Sequence, residues 1–407
     1  MTKPLQNAKV ALIHDFLYTY AGAERVLEEI LALFPNADIF SLFDFLPEKD
    51  RHFLRGKKVH TTFLQNLPFA SKKHRAFLPL MPLAIESLDL SAYDLVLSSS
   101  YLAAKGVLTA PHQLHICYCH SPARFAWDQQ QQYLAQSNLT RGPKSFLARA
   151  LLHYIRTWDA SSALRPDVFL ANSDFIRQRI EKTYRRDATV VYPPIDTEKF
   201  QPAPEKPRED FYITASRLVP YKRIDLIVKA FANSPRKLIV IGAGPELPKL
   251  QALARNAPNI QLLGHQPHAV LLDHLQRARG FVFAAEEDFG IAPLEAQSCG
   301  TPVLAFGRGG SIETVLPGQT GILFDEQTPE SLAAALNDFE SHTWHPQIIR
   351  QNAERFSKEA FHKNLMQTVQ SVWQNFQSRR TPLRLAPTFN ETAPLLTLTA
   401  PDIEEAA

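Results

Sequence analysis

What most narrows the folding of this chain is a pattern that runs twice. Short apolar runs rich in Val, Ile and Leu alternate with segments of helical period, and the alternation restarts after a polar, proline-bearing stretch at residues 201–210 (QPAPEKPRED). Such runs read as strands buried on both faces of a parallel sheet, with helices as the crossovers. In the first half the runs are residues 9–13 (KVALI), 95–97, 115–118 and 168–170, and Gly22–Leu33 sets Val26, Leu27, Ile30, Leu31 and Leu33 at helical spacing. In the second half they are residues 211–215, 237–241, 260–263, 280–283 and 302–305. The expected fold is α/β, two doubly wound, Rossmann-like parallel-sheet domains facing a central cleft, where ligands bind at strand ends. Residues 1–200 would form the first domain and residues 201–350 the second. A helix within residues 351–378, with Phe361, Leu365, Val369, Val372 and Phe376 on one face, would pack back across both. Residues 379–407, rich in Pro and Thr without a sustained period, read as a disordered tail.

Length and composition agree with two globular domains. A chain of 407 residues is too long for one ordinary core, and 45% hydrophobic with 21% charged residues excludes disordered and collagen-like classes. A formal charge of +3 with no matching motif argues against a nucleic-acid partner. The three cysteines, Cys117, Cys119 and Cys299, are too few for a disulfide framework and lack zinc-site spacing, so they read as small buried residues. No apolar run approaches the roughly 20 residues of a spanning helix, and the first residues lack a signal peptide's apolar region, so a cytoplasmic location is expected. One local bias stands out. Residues 51–75 carry Arg51, Arg55, Lys57, Lys58, Lys72, Lys73 and Arg75 without an acid, and the nearly uncharged residues 76–85 (AFLPLMPLAI) follow. That pairing suits peripheral contact with the anionic inner leaflet of a membrane. It equally suits a solvated helix beside a buried loop.

Residues 281–315 (FVFAAEEDFGIAPLEAQSCGTPVLAFGRGGSIETV) are the most informative for chemistry. They read as a strand, a short acidic loop and a helix that tolerates Pro293 near its start and ends at Gly300. Glu287 lies in the loop and Glu295 in the first turns of the helix, where carboxylates accept pairs of hydroxyl protons. Taken alone, two such glutamates are equally solvated loop acids. Just after the strand at 211–215, residues 215–223 (ASRLVPYKR) offer Arg217 and Lys222, a planar fork and a mobile point charge that suit two phosphates, or simply two surface cations. Residues 240–247 (VIGAGPEL) set Gly242 and Gly244 directly after a strand, where backbone amides can approach a phosphate, yet no third glycine completes the dinucleotide fingerprint. Gly307, Gly309 and Gly310 form another turn of the same kind. In the first half His14 and Asp15 close the first strand, Ala21 and Gly22 precede a helix start, and His120 follows a strand end, a place more often structural than catalytic.

Read together, HDFLYTYAGAERV, YDLVLSSS, YCHSPAR, FLANSDFIRQRI, VVYPPIDTEKF, SRLVPYKR, VIGAGPE and EEDFGIAPLEAQSCGTPVLAFGRGG occur in an order that resembles the retaining glycosyltransferases of family 4, over residues 9 to 376. Those enzymes have the two-domain GT-B fold. Within them the chain looks similar to bacterial GDP-mannose-dependent mannosyltransferases of O-antigen and exopolysaccharide synthesis. The resemblance implies that Arg217 and Lys222 hold the donor diphosphate, Glu287 contacts the hexose and Glu295 accepts from the ribose hydroxyls. It places Gly22, Gly244, Phe289, Gly290 and Ile291 at the donor nucleotide and His120 near the reacting sugar. It implies no metal and no cofactor, the donor being a sugar nucleotide such as GDP-mannose, and an acceptor that is a lipid-linked or free saccharide. Two positions depart from the family pattern: Ala21 stands where relatives carry glycine and Ala284 where they carry proline. A methyl at 21 fits where that residue's backbone lies in an ordinary region. Rival readings keep the fold for a nucleotide-sugar epimerase or sugar-phosphate synthase, or leave a catalytically silent sugar-nucleotide-binding partner.

Overall fold

The structure, a computed structural model, describes residues 3–380. Seven strands, β1 (Val10–His14), β2 (Asp38–Ser41), β3 (Val59–Thr61), β4 (Leu95–Ser100), β5 (Leu114–Cys119), β6 (Val168–Ala171) and β7 (Ala188–Val190), form a parallel sheet in the order 3-2-1-4-5-6-7. A second parallel sheet contains β8 (Phe211–Ala215), β9 (Lys237–Ile241), β10 (Ile260–Gly264), β11 (Gly280–Phe283), β12 (Val303–Phe306) and β13 (Gly321–Phe324), in the order 10-9-8-11-12-13. Both sheets are doubly wound. Each therefore reverses strand order once, between β1 and β4 and between β8 and β11, and a crevice opens beyond the strand ends at that reversal.

The apolar runs became strands because both faces are covered: every residue of β1, β4, β5, β11 and β12 is buried. The expected strands moved by at most a few residues, and Gly22–Leu33 is a helix with the bounds its period gave. Strands β2, β3, β7 and β13 are the ones periodicity did not show. Each has only three or four residues, such as DIFS and VHT, and takes its conformation from ladder bonds to a neighbour rather than from its own pattern.

At the end of the chain two helices split the work expected of one. Pro346–Glu354 buries Ile349 and Ala353, and Asn352 bonds Gln297 and the Thr314 carbonyl of the second domain. Lys358–Arg380 then crosses to the first domain, where Phe361, Leu365, Val369 and Trp373 join the core of β1, β4 and Gly22–Leu33. Trp373, rather than Val372 or Phe376, completes the i, i+4 seam, and its indole N–H donates to the Lys3 carbonyl at 2.8 Å. Residues 379 and 380, expected in the tail, are the last helical residues; the rest of that expectation, residues 381–407, lies outside the described residues.

One buried ion pair braces the first domain. Lys105, 2% exposed, pairs with Asp159, and the same carboxylate accepts from Trp127 Nε1 at 2.7 Å and Tyr184 OH at 2.9 Å. Lys105 Nζ also donates to the Leu102 carbonyl at 2.9 Å within the loop after β4, and Asp159, through Trp127, links that loop to the one after β5. Removing one partner leaves the other charged and dry. Lys105→Met is expected to cost about 3–5 kcal/mol in urea unfolding of the first domain, and adding Asp159→Asn, which removes the charge but keeps an acceptor for Trp127 and Tyr184, should recover part of it.

Candidate active site

The functional side chains expected from sequence lie at the two reversal points, because the chain leaves each strand there into a loop whose backbone cannot pair within the sheet. On the second domain, Ser216 and Arg217 follow β8, and Glu287 follows β11. Lys222 Nζ forms an ion pair with Glu287 Oε1, with 15% and 17% of the two side chains exposed. Burial pushes the Lys222 pKa down to about 8, helped by Arg124 and Arg217 and opposed by Asp288. Arg217 and Glu295 together line a cavity of about 400 Å³ with Gly242, Ala243, His265, Gln266 and Ala292. Beside it, Ile291–Ser298 begins with its unpaired amide groups toward the cleft side of β11.

Two glycine loops fix these side chains by close approach. A Cβ at Gly244 would lie 2.2 Å from the Leu218 carbonyl oxygen, and one at Gly310 would lie 2.3 Å from the Phe289 Cα. The loops that carry Arg217 and Glu287 are bonded there: Leu218 N–H to the Ala243 carbonyl at 2.9 Å, and Gly310 N–H to the Glu287 carbonyl at 2.8 Å. Gly244 thus holds the Arg217 loop rather than offering an open surface. Phe289 is 3% exposed, its ring packed with Tyr192 and Phe356, so it anchors the acidic loop while Gly290 turns into the helix at φ +89°.

On the first domain, buried polar groups converge beneath the start of Gly22–Leu33. His14 Nδ1 is 3.1 Å from Ser99 Oγ and its Nε2 is 3.4 Å from Glu24 Oε1; Ser99 Oγ also meets His120 Nε2 at 2.8 Å. Burial, with His14 beside it, lowers the His120 pKa to about 3, so this ring is neutral at physiological pH. Glu24 Oε2 accepts the Ala21 N–H at 3.0 Å. Ala21 has φ −138° and ψ −155°, an extended conformation open to any residue, which explains how alanine stands there. Asp15 is structural: it accepts the backbone N–H groups of Tyr101, Leu102, Ala103 and Ala104 at 2.6 to 2.9 Å. Ala284 is fully buried, its carbonyl accepting from Gln327 at 2.8 Å. Burial raises the Cys117 and Cys299 thiols to about 12, as befits small core residues.

The two halves meet across the cleft. A Cβ at Gly22 would touch Ile291 Cδ1 at 3.2 Å, so the starts of Gly22–Leu33 and Ile291–Ser298 lie together. Arg25 Nη1 reaches Glu295 Oε1 at 2.7 Å. Arg124 and Arg179 hold Asp288 Oδ1 at 3.1 and 3.4 Å, Ser173 Oγ donates to the Asp288 carbonyl at 2.6 Å, and burial raises the Asp288 pKa. Glu313 accepts the N–H groups of Asp174 and Phe175 at 2.7 and 3.0 Å, capping a first-domain helix. Sequence reasoning missed Arg25, Arg124, Asp288 and Glu313. Arg25 lies one helical turn past Gly22 and Asp288 adjoins Glu287, but only the packing shows that they meet. Among the described residues no cluster of three or more His, Cys, Asp or Glu could hold a metal ion.

A cavity lined by Arg217 and Glu295, with the Lys222–Glu287 pair near Arg217 and a helix start beside it, can hold a diphosphate and the hydroxyls attached to it. Comparison with known proteins bears on the family and the fold. Residues 195–359 match the family described as Glycosyl transferases group 1, and residues 20–199 match Glycosyltransferase Family 4. The chain is 31% identical over 201 residues to the GDP-mannose-dependent alpha-(1-6)-phosphatidylinositol monomannoside mannosyltransferase of Mycolicibacterium smegmatis, over 42% of this chain and 52% of that one. It is 26% identical over 316 residues to the D-inositol 3-phosphate glycosyltransferase of Corynebacterium urealyticum, over 69% of this chain and 72% of that one. The match thus spans about half the length of the first relative. Among solved structures, the lipopolysaccharide outer core galactosyltransferase WaaB in its apo form superposes with a TM-score of 0.62 at 20% identity, over 89% of this chain and 99% of that one. The chain has the GT-B fold and belongs to the glycosyltransferases, to Family 4 over residues 20–199 and to group 1 over residues 195–359.

Proposed function

We propose that this protein is a retaining hexosyltransferase that moves mannose from GDP-mannose to a hydroxyl of a lipid-linked or oligosaccharide acceptor in cell-surface polysaccharide synthesis. The observation that carries the proposal is that Arg217 and Glu295 line one cavity at the reversal point of the second sheet, while Lys222, near enough to Arg217 to feel its charge, pairs with Glu287. The mannosyltransferase names among its relatives support the choice of donor.

In the reaction the bond between the anomeric carbon and the diphosphate oxygen breaks, and its electron pair stays on the leaving phosphate. Arg217, Lys222 and the amides at the start of Ile291–Ser298 stabilise that growing charge. Glu287 accepts from hydroxyls of the hexose, and Glu295 exchanges Arg25 for the hydroxyls of the ribose. The acceptor oxygen attacks the same face of the oxocarbenium-like sugar and passes its proton to the leaving phosphate oxygen. His120, neutral, contributes a hydrogen bond near the sugar rather than an acidic proton. The reaction takes place at the cytoplasmic face, and no cofactor or metal enters it.

Arg217→Ala or Lys222→Ala is expected to lower turnover about 100-fold or more, read in a radiolabelled transfer assay; normal turnover in both removes the clamp. The depressed Lys222 pKa gives a second expectation. Below about 8 the lysine is charged in the free protein and the diphosphate binds it directly. Above that value binding must first recruit a proton, so calorimetric GDP affinity should fall as pH rises through about 8, and Lys222→Arg should flatten the fall. The stability effect has the opposite sign: between about 8 and the ordinary 10.5 the unfolded chain holds the proton and the folded one does not, so folding gains as pH rises. The donor is tested by thermal shift with GDP-, UDP- and ADP-hexoses. A ligand at about 100 times its dissociation constant adds roughly 2.7 kcal/mol, and a shift with a UDP-hexose but none with GDP-mannose would reassign the base.

A further inference from the structure

We infer that residues 69–83, with the aromatic wall they lean on, form an acceptor subsite in which Arg75 pairs with the phosphate of a membrane-borne, lipid-linked saccharide. The inference rests on the transfer reaction proposed above and adds where, and by what chemistry, the acceptor is held.

The wall starts at the reversal point of the first sheet. Phe16 and Tyr18 follow β1 and Tyr101 follows β4, and all three rings are half-buried. Tyr101 stands 6.3 Å from His120 and 5.4 Å from Phe16, centre to centre, and His74 lies 5.3 Å from Phe16 and 3.9 Å from Tyr18. Aromatic rings therefore run without a break from the histidine beside the reacting sugar to the segment that carries Arg75. Half-buried rings of this kind offer the apolar faces on which saccharides and other ligands pack. Tyr18 OH donates to the Ala70 carbonyl at 2.6 Å, which ties the segment to the wall. Burial, with Arg75 beside it, pushes the His74 pKa below its ordinary value, so the ring is presented neutral.

Arg75 is exposed and enters none of the ion pairs formed by the described residues, whereas Arg51 in the same basic stretch is consumed by Asp44 at 2.8 Å. Its charge reaches both His74 and Tyr101. A guanidinium held open beside an aromatic floor suits a phosphate, which it can grip with two parallel N–H bonds. The two phosphate sites are separate: Arg217 and Lys222 serve the donor from the second domain, and Arg75 belongs to the first, beside His74 and Tyr101.

The remainder of the segment points to a lipid as the source of that phosphate. Met81, Ala84 and Ile85 are buried in the core, while Phe69 is 70% exposed, Leu83 61% and Leu80 40%. Phe69 sits at φ +64°, a region a bulky residue rarely occupies, and Lys72 and Lys73 flank it, both exposed. A single exposed leucine means little, but three large apolar side chains with two lysines on one short segment match an anionic bilayer surface.

The test is co-sedimentation with phosphatidylcholine vesicles that carry polyprenyl diphosphate, against vesicles of equal charge made with phosphatidylglycerol. Wild type should pellet with the diphosphate vesicles about tenfold more strongly, the worth of one charge-assisted phosphate contact. Arg75→Ala should lose that excess, Arg75→Lys should keep part of it, and Phe69→Ser with Leu83→Ser should weaken pelleting on both vesicles. Equal pelleting on the two vesicles, or an unchanged excess in Arg75→Ala, overturns the subsite. Displacement from the diphosphate vesicles by low concentrations of soluble glucose 1-phosphate overturns the lipid source. Each variant is also given the sugar-nucleotide thermal shift, which shows that it is folded. Absence of any shift in wild type sinks the transfer reading while the vesicle result still stands by itself.

Discussion

Two parallel sheets cannot share a ladder across a cleft, so what sets one against the other here is charge between loops, with an apolar seam of Tyr192, Phe289 and Phe356 beneath it. Arg25 on Glu295, Arg124 and Arg179 on Asp288, and Glu313 on the amides of Asp174 and Phe175 all run between domains. Exposed pairs of this kind contribute little each. These sit at the mouth of a crevice with much of their surface covered, and two of them share Asp288. Their geometry decides which residue of the second domain faces which residue of the first, and so the rest of the site depends on it.

That arrangement also concentrates positive charge. Lys222 lies near Arg217 and Arg124, and burial together with those neighbours pulls its pKa down to about 8. A cation held where its charge is disfavoured is one that an anion stabilises strongly, because the ligand supplies the counter-charge that solvent no longer provides. The diphosphate of the proposed donor would answer that need. The glycine loops at Gly244 and Gly310 make the cluster rigid by letting one backbone cross another, at a distance no Cβ would permit. Their contribution to the chemistry is indirect, through the loops that carry Arg217 and Glu287.

The first domain is built with a different emphasis. Its reversal point is lined by His14, Glu24, Ser99 and His120 in one hydrogen-bonded chain and by aromatic rings beyond it. His120, kept neutral by burial, adds no charge of its own to that chain. The charged cluster and the aromatic surface thus come from separate sheets that meet across the cleft.

Much of this was legible in the sequence, and the legible part has one character: it depends on near neighbours in the chain. Fully buried strands such as β1, β8 and β11 announce themselves as apolar runs, the helix Gly22–Leu33 by its period, and Arg217, Lys222, Glu287 and Glu295 by their places just past strand ends. Strands β2, β3, β7 and β13 were not legible, because three or four residues carry too little pattern and their conformation is imposed by a partner strand. Nor did the sequence separate Trp373 from Val372 as the buried side chain, since the helix turn that meets the core depends on the crossing of two distant elements. Arg25 on Glu295 spans 270 positions and Arg124 on Asp288 spans 164, and no local rule reaches that far. The chain by itself determined two doubly wound domains and the residues at their strand ends; only the tertiary structure decided which of those residues meet, because opposition across a cleft is a property of packed surfaces and not of spacing along a chain.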